Sequence, residues 1–192
     1  MLTVDVVTKK KRTLPSWKDV KAALQAFDRT GLLGLVQDLY AVSQRNREFL
    51  HARLGLGADP LAPYKADISR WICPDLIGGQ AVSVSKAKKA IADYKRAIGH
   101  PKGLAELSIF YCEEAFSFVE SCSWDDERYF SALIHMYNQS AQCASNLPPV
   151  ERRSFAERLG NLRAQARHVG WGVEDELNSL WHESGLDAGQ SE

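Results

Sequence analysis

Three apolar rows in the second half of the chain constrain the fold more than any other feature. Leu104, Leu107, Tyr111, Ala115, Phe118 and Cys122 form the first row. Phe130, Leu133, Tyr137, Ala141 and Ala144 form the second, and Phe155, Leu159, Leu162, Ala166 and Val169 the third. Steps of three and four residues place each row on one face of a helix, and each face must be buried against a neighbour. The breaks between rows, at Ser123-Trp124 and Pro148-Pro149, are short. Short connections between long helices make successive helices antiparallel, which gives a bundle or a stack of helical hairpins. Gly170-Trp171-Gly172 then precedes a last short helix expected over 173–182.

The first half reads as shorter helices. Ser16 is placed to cap a helix carrying Trp17, Val20, Leu24 and Phe27, with Asp19 at its third position. Thr30 is expected to restart a helix with Leu32, Leu35, Val36 and Leu39, and Ser43 to cap the next, ended by Gly55 and Gly57. Asp59-Pro60 opens a helix expected over 61–72, stopping before Pro74. DLIGGQAVSV is the longest candidate loop; its AVSV has no second strand to pair with. Ser85 is expected to cap a helix with Ala87, Ile91, Tyr94 and Ile98 on one side. His100-Pro101 reads as a turn, and no fixed repeat period is present.

The expected fold is therefore all-α, with about eight or nine helices. A short-helix N-terminal layer packs on an antiparallel long-helix C-terminal bundle. Residues 1–14 read as a basic tail, 15–184 as one helical domain, and 185–192 as a C-terminal tail. Within the domain, subdomains 15–74 and 85–184 are joined by the 75–84 loop.

Composition narrows the function classes. The chain has 192 residues, with 24 basic and 24 acidic side chains and no formal net charge. No global field draws it to nucleic acid or a membrane, so such binding needs a local patch. No apolar run approaches the ~18 residues of a membrane span. The basic run Lys9 to Arg12 follows a short apolar stretch, the reverse of a signal peptide, and reads as a solvated tail. A cytoplasmic protein is the expectation. Cys73, Cys112, Cys122 and Cys143 are far apart, so reduced structural thiols are expected, with Cys112 and Cys122 acting as small hydrophobes. Trp71, Trp124, Trp171 and Trp181 are expected to anchor helix ends in the core.

Two constellations bear on chemistry. In RNREFLHARL, Arg47 and His51 share a helix face, whereas Arg45 and His51 lie ~120° apart. An arginine holding a phosphate beside a histidine base is what metal-independent RNA cleavage needs. Arg45-Asn46 with His51 resembles the R-x(4–6)-H motif of the HEPN ribonucleases, and Arg163 with His168 matches the spacing again. Ala164 stands where that family commonly has a polar residue. The plainer reading is the polar face of an amphipathic helix. The second constellation is a basic helix with Lys86, Lys88, Lys89, Lys95, Arg96 and Lys102 against the single acid Asp93. With Arg45 and Arg47, Lys86, Lys88, Lys89 and Lys95 are the candidate nucleic-acid contacts.

Acidic residues follow directly: Glu106, Glu113, Glu114, Glu120, Asp125, Asp126 and Glu127. They either pair with the basic helix or offer a complementary face to another protein. Glu113 and Glu114 have no histidine three residues on, so the diiron bundle pattern is missing and no metal or cofactor is expected. No phosphate-binding loop, dinucleotide fingerprint or nucleophile elbow is present.

LVQDLYAVSQRNREFLHARL, PYKADISRWICPDL, SVSKAKKAIADYKRAIGHPKGLAELSIFYCEEAF and GWGVEDEL resemble a family of bacterial helical proteins of this length. The likeness covers roughly 35–177. It implies a bacterial cytosolic protein with one continuous domain, and brings no activity or catalytic residue. The leading expectation is a non-catalytic helical interaction module with a protein partner or self-association. Nucleic-acid binding through the basic helix at 85–98 is the alternative, and a HEPN-like ribonuclease the second.

Overall fold

The computed structural model describes residues 14–56 and 59–186. Among them are nine α-helices, one 3₁₀ turn and no strand. The helices are α1 (Trp17–Leu24), α2 (Arg29–Val42), α3 (Gln44–Leu54), α4 (Ala62–Ile72), α5 (Val84–Ala97), α6 (Pro101–Cys122), α7 (Glu127–Ser145), α8 (Pro149–Gln165) and α9 (Val173–Ser184). The expected all-helical class is what the chain adopts. The chain divides into two compact units at Arg47/Glu48, inside α3. The helices α4 and α5, which flank the 75–84 loop, pack directly on each other.

In the first unit, helix starts follow short polar residues. The Ser16 amide and hydroxyl both donate to Asp19 at 2.7 Å, fixing the first turn of α1. Asp28, two residues before the expected Thr30, caps α2 by accepting the Gly31 amide at 2.7 Å. An aspartate carboxylate there satisfies an otherwise orphaned amide and meets the positive end of the helix. Ser43 caps α3 as expected, accepting the Asn46 amide at 3.1 Å. The apolar rows of this unit are not buried: neither α1 nor α2 contains a buried residue.

The second unit holds the core. Its centre is α6, which packs on α4, α5, α7 and α8, while α9 lies against α7. Leu107, Ile109, Tyr111, Cys112, Ala115, Phe116 and Phe118 of α6 are all buried, so burial extends well beyond the one row seen in sequence. A helix surrounded on most sides needs apolar residues most of the way round. The other rows bury Phe130, Leu133, Tyr137, Ala141 and Ala144 of α7, and Phe155, Leu159 and Leu162 of α8.

One cap here differs by two residues from expectation. Ser83, not Ser85, is the cap residue of α5. Asp126 caps α7, accepting the Tyr129 amide at 2.8 Å. The α5–α6 corner turns on Gly99, at φ +67°, whose amide donates to the Tyr94 carbonyl. Any side chain there would meet the Lys95 carbonyl oxygen at 2.9 Å.

Several sequence expectations are corrected. Trp181 is buried, and Trp71 and Trp124 are partly buried against the core, but Trp171 is 54% exposed. Its indole donates to Asp125 instead. Cys122 is exposed, at the end of α6 where the apolar row runs out, and its thiol donates to the Phe118 carbonyl. Leu186 is buried, so the core reaches past residue 184. The run Lys9–Arg12, Gly57 and the chain end from 187 lie outside the described residues.

Candidate functional site

The opening motif belongs to α3, which carries Arg45 and Arg47 in the first unit and His51 in the second. The Arg47 Nε donates to the Gln44 carboxamide at 3.0 Å. The Asn46 side chain donates to the Leu39 carbonyl at 2.6 Å. Asn46 thus staples the end of α2 to the start of α3, a structural use of the polar residue that the ribonuclease motif would give to chemistry. At the second match, Arg163 lies in α8 with its guanidinium 5.2 Å from the Trp181 ring centroid. α8 ends at Gln165, so Arg163 and the 3₁₀ residue His168 do not share one α-helix. The His168 side chain lies outside the described residues.

On α5 the buried face is Ala87, Ala90, Ile91, Tyr94 and Ala97. At 100° per residue the cations divide into separate rows around it, Lys88 with Lys95 and Lys89 with Arg96. Lys89 and Arg96 both pair with Asp93, at 2.8 and 3.1 Å. The Lys86 ammonium sits 3.7 Å from the Trp71 ring centroid, a cation–π contact. Burial lowers the Lys88 pKa. Asp93 therefore offsets part of the positive charge of this helix.

Two acidic residues of α6, Glu106 and Glu113, find partners elsewhere than α5. Arg158 of α8 makes a two-pronged pair with Glu113, at 2.7 and 2.8 Å, and also donates to Glu106. Lys65 of α4 reaches the other oxygen of Glu106 at 2.6 Å. Burial alone would push the Glu106 carboxyl up, but hydrogen bonds from Arg158 and Lys65 together hold it below its ordinary value. The same bonds raise the Arg158 pKa, its pair with Glu113 contributing most. This is a structural clamp between helices, with every charge matched.

Nucleophile and metal chemistry find no arrangement among the described residues. Burial pushes the thiols of Cys73, Cys112 and Cys143 up, the opposite of what an activated thiolate needs. No three His, Cys, Asp or Glu side chains converge there to hold a metal ion. No helix among them is long and apolar enough to cross a membrane.

What the sequence missed is a surface. Eleven of the eighteen large apolar side chains that stay exposed fall between Leu14 and Val42. They include Trp17 at 70%, Leu33 at 61% and Val42 at 78%. Helix α2, RTGLLGLVQDLYAV, has only Arg29 and Asp38 as charged residues, and all its large apolar residues, from Leu32 to Val42, fall on one half of it. The composition of that one helix was the available signal. No protein-family model, curated protein or solved structure matches this chain.

Proposed function

We propose that the protein is a non-catalytic interaction module that receives an apolar helical face of another protein on α1 and α2. One observation carries this reading: the concentration of exposed large apolar residues in the first unit, beside a second unit that buries its own rows thoroughly. Monomers rarely expose contiguous apolar surface beyond a few hundred Å², and larger patches usually mark binding sites. A helix with large apolar residues over one half buries that half against a neighbour. Charge selects the class of partner. With Arg29 as its only cation, offset by Asp38, α2 offers little for a phosphate backbone to pair with, and much for an apolar helix.

The test is Leu33→Asp in the full chain, with amide hydrogen exchange and sedimentation on both forms. The expectation is fast exchange across 17–42 in dilute monomer, with protection on partner binding or self-association that the variant abolishes. The variant should keep the wild-type melting temperature. Slow exchange across 17–42 in the dilute monomer would mean that the chain covers these residues itself, and would overturn the proposal.

A further inference from the structure

The α5–α6 corner closes one end of a cavity of about 540 Å³ within the second unit. That is the size range of small-molecule sites. Leu61, Ile98 and Phe155 supply an apolar wall. At the corner lies the start of α6, a helix of 22 residues whose N-cap residue, His100, makes no side-chain cap bond. Pro101 has no amide hydrogen, and the Leu104 amide already donates to the His100 carbonyl. The amides of Lys102 and Gly103 are thus left without an acceptor among the described residues, and both residues line the cavity.

Tyr94 supplies an independent pointer to a ligand. It is only 3% exposed, lines the same cavity, and its hydroxyl has no hydrogen-bond partner among the described residues. Its ring is held edge-on to Tyr64 at 5.3 Å between centroids, which aims the hydroxyl at the start of α6. A side chain at residue 103 would stand 1.9 Å from that oxygen, so glycine is what lets the hydroxyl and the helix end share one place. The oxygen opens on the cavity, where an acceptor that enters takes its hydrogen bond.

Charge defines the acceptor. Lys65 is already matched by Glu106 and Lys102 by Glu151, at 2.6 and 3.5 Å. Asp59, the other acid of the wall, accepts the Leu61 amide at 2.8 Å. With both lysines matched, the positive potential left at the α6 corner is that of the helix end, roughly half an elementary charge, while Asp59 keeps its negative charge on the wall. That suits a singly charged head better than a doubly charged one.

We infer that this cavity binds a small amphipathic monocarboxylate. Its head accepts from the Tyr94 hydroxyl and the Lys102 and Gly103 amides, and its apolar body lies on Leu61, Ile98 and Phe155. The site is separate from the α1–α2 surface and does not depend on it.

The test is calorimetric titration of the full chain with octanoate, octyl phosphate, octanol and acetate. Octanoate should saturate one site, and the other three should bind at least tenfold more weakly. Tyr94→Phe keeps the ring and should weaken octanoate about tenfold, the loss of one hydrogen bond to a charged group, while leaving octanol unchanged. Octanoate should also move the amide resonances of Lys102 and Gly103 in the wild-type protein. Octanol binding as tightly as octanoate, or equal octanoate affinity in Tyr94→Phe, would overturn the inference. So would saturation that leaves the two amide resonances in place. Preference for octyl phosphate would overturn the assignment of a singly charged head.

Discussion

Two tyrosines show how much a single hydroxyl is worth in this core. The Tyr129 hydroxyl donates to the Ile72 carbonyl at 2.8 Å and lies 3.3 Å from that of Ala115. The equally buried Tyr111 hydroxyl has no partner among the described residues. Removing a satisfied buried donor costs about 1–2 kcal/mol, whereas removing an orphan is neutral or favourable. Tyr129→Phe should therefore lower the urea midpoint, and Tyr111→Phe should leave it unchanged or raise it. Glu106 gives the pH dependence. Its folded pKa lies below the ordinary 4.5, so its contribution to stability is complete above that value and is lost as the pH falls below it. Melting temperatures should fall on acidification below about 4.5, and less steeply in Glu106→Gln, which begins lower by about 2 kcal/mol. None of this was legible in sequence. Arg158 is 52 residues from Glu106 and 45 from Glu113, and no local pattern joins them.

Elements were far more readable than their partners. Ser16 with Asp19, Ser43, Asp126 and Pro149 all stand where helix starts are found, because a cap acts within its own turn. Thr30 and Ser85 each have a good competing cap two residues earlier, Asp28 and Ser83, and the chain uses those. What periodicity could not tell was whether a row is covered. Trp17, Val20 and Phe27 repeat as regularly as Leu107, Tyr111 and Phe118, yet the first set is exposed and the second buried. A row belongs to one helix; its burial depends on another. The corner at Gly99 carries the element-scale prediction. Gly99→Ala would force a side chain into a left-handed position facing the Lys95 carbonyl, and should cost about 1 kcal/mol or more in chemical denaturation.

At the scale of the molecule, the two units differ in kind. The second has a centre, α6, and a closed set of matched charges around it. Its helices should show the slowest amide exchange in the chain, with α6 the slowest, since buried central elements open only on global unfolding. The Arg158 clamp has a further consequence for this unit. Glu106 and Glu113 are seven residues apart on one face of α6, about 10.5 Å along its axis. One guanidinium reaches both only when α8 sits at a single height beside them. Sliding α8 by one turn, about 5.4 Å, would still bury leucines against leucines but would strip Arg158 from one carboxylate. Greasy faces alone tolerate such slippage; two acids flanking one fork do not. The clamp thus acts as a stop on axial travel, selecting one register among packings that hydrophobic burial would leave nearly equal.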